Sequence, residues 1–347
     1  MSVRQRGVLN HPVDETPVAI VDLETTGLSA GADRVVEVSV IRIDPGQPPR
    51  LVLDTLINPQ RRVTATEIHG ITDEDVADAP RFGDIAGHLV RSLYGCVLAA
   101  YNVYFDLPFL QYELSRVGLR SVVPHLCLMY LRPMIGLGPR CSLHDACCQH
   151  GIAHEHAHTA AADAQASARL WQVYLEALAR RGVRTFGELK NLRSYKFVES
   201  LHHDPLAPPV GETLGAVNRF KSRSGWQAAG QPSANAEPPR PATAPQERAS
   251  AGFASRQRSR SDTIHSYWEA LKAVLCDLEV TDDEIAYLAA KQEEWGLSAQ
   301  EIRALHARAF ATVISQCIDD KLLDEGECTT LRRLYRCLQR LGYAPGQ

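Results

Sequence analysis

No stretch of this sequence stays apolar for the roughly 20 residues that a helix needs to cross a bilayer, so a helical membrane protein is not expected. The opening run Met1-Ser-Val-Arg-Gln-Arg-Gly7 lacks the apolar core of a secretory leader, and a cytoplasmic location is the expectation. Cys-x-x-Cys pairs are missing too. The nine cysteines have no regular spacing, and Cys147 and Cys148 are adjacent, which suits reduced thiols better than a zinc site or a disulfide framework. An excess of positive charge is also absent: the formal net charge is −4, which would count against a nucleic-acid partner if it were evenly spread. Between residues 180 and 260, however, the chain carries Arg181, Arg184, Lys190, Arg193, Lys196, Arg219, Lys221, Arg223, Arg256 and Arg258 with few acids between them. Such a segment can hold phosphates, or it can be a solvated linker and nothing more.

A chain of 347 residues exceeds what one ordinary core fills, so two domains, or one with long appendages, are expected. Residues 1–16 read as a disordered tail. From 17 to 182 strand-like and helix-like patterns alternate, which predicts an α/β domain. Val18 to Val21 is a buried-strand run; Val36, Val38 and Val40 alternate with Glu37 and Ser39; Leu51 to Ile57 is a third extended run, and the short connections suggest an antiparallel meander. Phe82, Ile85, Leu89 and Leu93 have helical spacing, Cys96 to Ala100 reads as another strand, and the next helix has Pro108 in its first turn. Ser142 and Asp145 form a capping-box pattern before a helix through His150, and a long helix is predicted from Thr159 to Arg180.

Residues 183–262 read as a basic linker, largely disordered from about 215, where Gly, Ser, Pro, Ala, Gln and Arg dominate without an apolar face. Residues 263–344 then show helical periodicity, at Trp268, Leu271, Leu275 and Leu278, at Ile302, Leu305, Val313 and Cys317, and at Leu331, Leu334, Leu338 and Leu341. Thr281 with Glu284 and Ser298 with Glu301 are capping boxes, and Gly342 stands in a C-cap position. A small all-α domain is the expectation.

Asp22 and Glu24 lie two apart at the end of an apolar strand, so the pleat directs both side chains to one face. Like charges at a buried strand end repel unless protonated or neutralised, and a divalent cation suits oxygen ligands. A turn cap at Asp22 and a solvated Glu24 describe the pair equally well. Asp106 follows a strand and opens a helix, where it is also an ordinary dipole partner. His158 and Asp163, five apart at the start of the long helix, can project into the same opening or face solvent. Together the three coincidences, all at element ends, point to a site.

The runs Val18 to Leu28, Glu67 to Thr72, Tyr101 to Asp106 and His158 to Ala164 resemble, in order, the motifs of the DEDDh exonucleases, which include the epsilon subunit of bacterial DNA polymerase III and ribonuclease T. The resemblance covers about 160 residues. It implies an α/β, RNase H-like mixed sheet flanked by helices, with the flexible linker and all-α domain appended. It further implies that Asp22, Glu24, Asp106 and Asp163 hold two divalent cations, Mg²⁺ or Mn²⁺, with His158 as general base. Thr25, Thr26 and Gly27 immediately follow the metal strand, where backbone amides and small side chains could approach the terminal nucleotide, and His69 and Phe105 resemble family positions lining the end of the substrate channel. The structural alternatives are a tight turn at Gly27, loop packing for His69 and a core role for Phe105. Asn102 is expected to bond backbone or substrate sugar, and His144, His150, His154 and His156 match no zinc spacing.

The expected activity is 3′→5′ hydrolysis of single-stranded DNA ends, releasing nucleoside monophosphates in proofreading, repair or end processing. An exoribonuclease with the same chemistry is one alternative, although oligoribonucleases carry Met where this chain has Thr25. A non-catalytic nucleic-acid-binding scaffold is the other, against which the complete set of acids counts. The C-terminal helices, with Ser298 to His306, resemble TerB-like modules of tellurite-resistance proteins. Asp319 to Asp324 lacks EF-hand spacing, so no metal is assigned there, and a protein partner is the expected role.

Overall fold

A computed structural model describes residues 7–27, 30–120, 122–154, 159–192, 195–207, 220–226, 260–275, 280–317 and 325–343. Five strands, β1 (Val18–Thr25), β2 (Val35–Ile43), β3 (Arg50–Leu56), β4 (Val97–Ala100) and β5 (His125–Cys127), form one sheet in the order β3-β2-β1-β4-β5. The pairs β1–β2 and β2–β3 are antiparallel, as the meander predicts, whereas β1–β4 and β4–β5 are parallel. Between the strands run α1 (Thr66–His69), α2 (Asp73–Val76), α3 (Phe82–Ser92), α4 (Val103–Arg116), α5 (Leu128–Met134), α6 (Leu143–Gln149) and α7 (Ala160–Arg180). Helix α7 lies on β1 and β2, α3 on β2 and β3, and α4 on β1, β4 and β5, so the mixed sheet is flanked by helices in an RNase H-like arrangement. Pro108 sits past the first turn of α4, further into the helix than its sequence pattern suggests.

Strand β2 departs from its sequence reading in a way that matters for the site. Alternation of valines with Glu37 and Ser39 predicts one wet face, but β2 is interior to the sheet and both polar residues are fully buried. Each has found a buried partner instead: Ser39 donates to Asp54 Oδ1 at 2.5 Å, and the Glu37 carboxylate accepts the backbone N–H of Ala160 at 3.0 Å.

The nuclease-like body is larger than residues 17–182. In the segment expected as a tail, Val8, Leu9 and Val13 are buried in the main core, and Val8 and Val13 bond the backbone of Leu201 and Arg184. Within the span expected as a linker, a 3-10 turn (Phe186–Asn191) and α8 (Lys196–Ser200) bury Phe186, Leu189, Phe197 and Val198 in the same core. The apolar residues here are too few per turn to show a period, but each adds area to an existing core.

Residues 220–226 also return to the sheet. Lys221 accepts from the Leu56 amide at 2.7 Å and donates its own amide to Thr55 Oγ1 at 3.1 Å, so the segment lies on β3. Ser222 and Ser224 donate to Asp54 Oδ2 at 2.5 Å each, Trp226 Nε1 donates to Leu51, and the Phe220 ring packs edge-on against His88 and Trp226. The edge of a sheet offers unpaired backbone groups, and this segment satisfies some of them.

Four further helices, α9 (Arg260–Leu275), α10 (Asp282–Glu294), α11 (Ala299–Cys317) and α12 (Glu325–Arg340), enclose a second core around Trp268, Leu271, Leu288 and Leu338. Both predicted capping boxes are formed, at Thr281–Glu284 and Ser298–Glu301. Leu278 and Asp319 to Asp324 lie outside the described residues. Among the described residues this helical unit touches the first body at Ile68 of α1, which packs on the second core, and around α6, where Tyr287 and Lys291 reach Asp145 at 2.7 Å each and Glu284 pairs with Arg140.

Candidate active site

The site forms at the end of β1, where its two neighbours part. On one side β2 continues alongside, with Glu24 facing Glu37 in register. On the other, the pairing with β4 stops at Ile20 opposite Ala99, because the chain turns after Ala100 into α4. The Leu23 amide therefore has no strand partner there, and Asp106, in the first turn of α4, accepts it at 3.1 Å. One carboxylate thus stands in for a strand at a sheet opening, which is where α/β sheets place their ligand sites.

Asp22 and Glu24 project from the pleat as their spacing predicts, and Asp163 reaches them from the first turn of α7. One ligand oxygen from each of these three residues lies within 4.8 Å of the others. Asp106 is buried beside them, hydrogen-bonded to the amide between Asp22 and Glu24, and is not among the three that cluster within that distance. Helix α7 is well capped at this end: Thr159 Oγ1 accepts from Ala162, and Asp163 donates its amide to the Thr159 carbonyl at 3.1 Å. The positive ends of α4 and α7 both point at the acids and partly offset their repulsion. Three carboxylates this close, half-buried, are a donor set of hard oxygens with a net negative charge, which fits a hard divalent cation.

Glu37 supports this cluster from behind. Its Oε2 accepts Ala160, one of the amides a helix start leaves without an internal partner. Arg223 then clamps the same carboxylate, Nε to Oε1 at 2.8 Å and Nη2 to Oε2 at 2.6 Å, and gives Nη1 to the His69 carbonyl at 2.8 Å. Burial works against the Arg223 charge, but its bonds to Glu37 and the fields of Glu37, Glu24 and Asp54 outweigh burial and raise its pKa. Removing one member of such a buried pair typically costs about 3–5 kcal/mol.

Of the residues expected on the substrate side, Thr25 is buried and donates to Gly27 at 2.5 Å, while Thr26 bonds Asp33 and the Arg34 amide. A Cβ at Gly27 would lie 2.3 Å from the Asp33 carboxylate, which would have to shift away from it. His69 is 3% exposed, its Nδ1 accepting from Ile71 and its Nε2 near the Thr64 carbonyl at 3.2 Å. The Ile71 bond requires a bare Nδ1, so Nε2 carries the proton and the ring is neutral. It braces the loop. Gly70 ends α1 at φ 71, a left-handed cap that favours glycine. Phe105 is half-buried against Phe109, and the Asn102 side-chain oxygen is buried with no hydrogen-bond partner among the described residues.

His158 lies outside the described residues. Among the described residues, His154, set aside on spacing, is brought to the site: its Nε2 is 2.5 Å from Asp163 Oδ1. Nothing in its position nine residues before Asp163 marks it in the sequence. Glu37 could have been flagged as a charge in a valine run; Arg223 carried no signal beyond belonging to a basic segment.

Residues 19–171 match the RNase_T exonuclease family model. That match covers less than half of the chain and supports the resemblance of its motifs to the DEDDh exonucleases. Over 183 residues the chain is 36% identical to a DNA polymerase III subunit epsilon-like protein of Rhodobacter capsulatus, covering 51% of this chain and 26% of that one. Against the DNA polymerase III subunit epsilon of Treponema pallidum it is 40% identical over 97 residues, 27% of this chain and 44% of the relative. The exonuclease domain thus spans only a part of these relatives' lengths. Among solved structures, E. coli exonuclease I in complex with a dT13 oligonucleotide has a TM-score of 0.43 at 18% identity, covering 48% of this chain and 43% of that one. No described helix is long and apolar enough to cross a membrane.

Proposed function

We propose that this protein is a metal-dependent 3′→5′ exonuclease that hydrolyses single-stranded DNA from its 3′ end and releases nucleoside monophosphates. The observation that carries the reading is the convergence of Asp22, Glu24 and Asp163, with ligand oxygens within 4.8 Å, beside Asp106 on the amide between the first two. Asp22, Glu24, Asp106 and Asp163 would hold two divalent cations. Bound there, such ions supply Lewis acidity, which acidifies water and stabilises negative charge on the leaving 3′ oxygen. His158 takes the proton from the attacking water, and the resemblance to the DEDDh family supports that role. Thr25, Thr26 and Gly27 shape the floor beside the acids, and the buried, unsatisfied Asn102 oxygen is suited to a hydroxyl of the terminal sugar. Phe105, half-buried at the start of α4, offers a face for the last base. Proofreading, repair and end processing all use this reaction, and the DNA polymerase III relatives support a DNA substrate.

The test is a time course on 5′-labelled single-stranded DNA and RNA of one sequence with Mg²⁺. A DNA ladder shrinking from the 3′ end, absent in EDTA and in folded Asp22→Ala or Asp163→Ala protein, is the expected result. Activity persisting in EDTA, or in either variant, would contradict the mechanism, and a faster RNA ladder would move the substrate to RNA.

A further inference from the structure

We infer that Arg223 is a positioning residue for this exonuclease site, so that the working catalytic unit extends through the returning segment 220–226. The inference rests on the nuclease reading given above. Five strands and seven helices of the family-like body are in place before residue 183, yet Glu37, fully buried in β2, finds its cation beyond them. Among the described residues, the cation paired with Glu37 is Arg223.

The geometry makes that pairing more than a surface staple. Glu37 stands directly across from Glu24 in the β1–β2 register, and such cross-strand neighbours share a face. Without Arg223, two carboxylates would oppose each other there, and Glu37 would lose the partner that fixes its position behind Glu24. Glu37 Oε2 also holds Ala160, the first residue of the helix that aims Asp163. The third arm of the guanidinium fixes the His69 carbonyl, and hence the loop between α1 and α2. One planar fork therefore ties β2, α7 and that loop together, a task that a lysine point charge cannot duplicate.

Segment 220–226 is held firmly enough to deliver the arm. Backbone bonds to Leu56 and Thr55, two serines on Asp54 and Trp226 on Leu51 fix the residues on both sides of Arg223.

The experiment compares full-length wild type, Arg223→Ala, Arg223→Lys and the double variant Glu37→Gln/Arg223→Ala. Three quantities are read: Mn²⁺ affinity by electron paramagnetic resonance, amide exchange at 160–163 and 69–71, and kcat and KM on a DNA oligonucleotide. Folded Arg223→Ala is expected to bind Mn²⁺ about 10-fold more weakly and to lose about 10- to 100-fold in kcat, with KM changed less than about 3-fold. Its amides at the start of α7 should exchange faster. The double variant, which removes the buried charge while keeping an acceptor for Ala160, should recover most of the Mn²⁺ affinity. Should Arg223→Ala not fold, Arg223→Lys decides, with an expected intermediate affinity and faster exchange near His69. Wild-type Mn²⁺ affinity and exchange in the folded single variants would overturn the inference, as would a double variant no better than Arg223→Ala. If wild type holds Mn²⁺ but cleaves neither DNA nor RNA, the nuclease reading fails, while the affinity and exchange data still decide on Arg223.

Discussion

The 2.5 Å contact between His154 Nε2 and Asp163 Oδ1 makes the ring a competitor for any cation that would use this oxygen. His154→Ala is therefore expected to lower the Mg²⁺ concentration for half-maximal activity while leaving kcat within about 10-fold of wild type, and His158→Ala to reduce kcat by about 10²–10⁴-fold, the usual worth of a general base. Metal titrations of both variants on one oligonucleotide check this, and a kcat loss in His154→Ala as deep as in His158→Ala would transfer the base role to His154. At this scale the placing of Asp22, Glu24, Asp106 and Asp163 beside one another was legible because each occupies an element end within an ordered motif set. His154, Glu37 and Arg223 were not. Their roles depend on contacts across 9, 123 and 186 residues of sequence, which no local pattern encodes.

At the scale of elements, the strands and long helices could be read because a buried face repeats every 2 or about 3.6 residues. Three-residue β5, four-residue α1 and α2 and the six-residue 3-10 turn are too short for such a period to recur visibly. Composition also misplaced residues 220–226, whose polar side chains pair with buried acids instead of water. In the helical unit, α9 and α11 meet through His306, 1% exposed, with the Tyr267 hydroxyl 3.0 Å from Nε2 and the Tyr343 ring edge-on. Burial pushes the imidazole down from 6.5 to about 4. An unfolded chain protonates His306 near 6.5 and the folded unit only near 4, so its stability is complete above 6.5 and falls as pH drops towards 4. The loss should reach about 3 kcal/mol and then level off. Urea melts at pH 7 and pH 4.5 should show it, with a smaller pH difference in His306→Gln; an equal difference in both proteins would locate the acid sensitivity elsewhere.

For the whole molecule, the two bodies have separate cores and meet through Ile68 and Tyr287, each packed against the other body's core, and through charge. Lys291 pairs with Asp145, Arg140 with Glu284, and the Tyr287 hydroxyl donates to Asp145 while accepting from the Ser142 amide at 3.0 Å. All four charged groups are largely buried by the contact. The Asp145 carboxyl would be pushed up by burial, but the bonds from Lys291 and Tyr287 hold it below its ordinary value. Removing only Lys291 in the intact chain leaves Asp145 buried without its cation, whereas removing the whole helical unit returns Asp145 and Arg140 to water, where their charges are solvated. The point change should therefore weaken docking more than the deletion harms the nuclease fold. Ending the chain after Trp226 is expected to keep cleavage of short oligonucleotides within a few-fold of full length, since every acid and Arg223 remain. Ending it at 182 should abolish cleavage, because that cut also removes the core-filling Phe186, Phe197 and Val198 and the clamp on Glu37. Assays of the two truncations beside full-length protein separate these cases. Activity in the shorter form would mean that the family-sized domain suffices; inactivity of a folded longer form would mean that the helical unit, through its contact with Ile68 beside His69, completes the site.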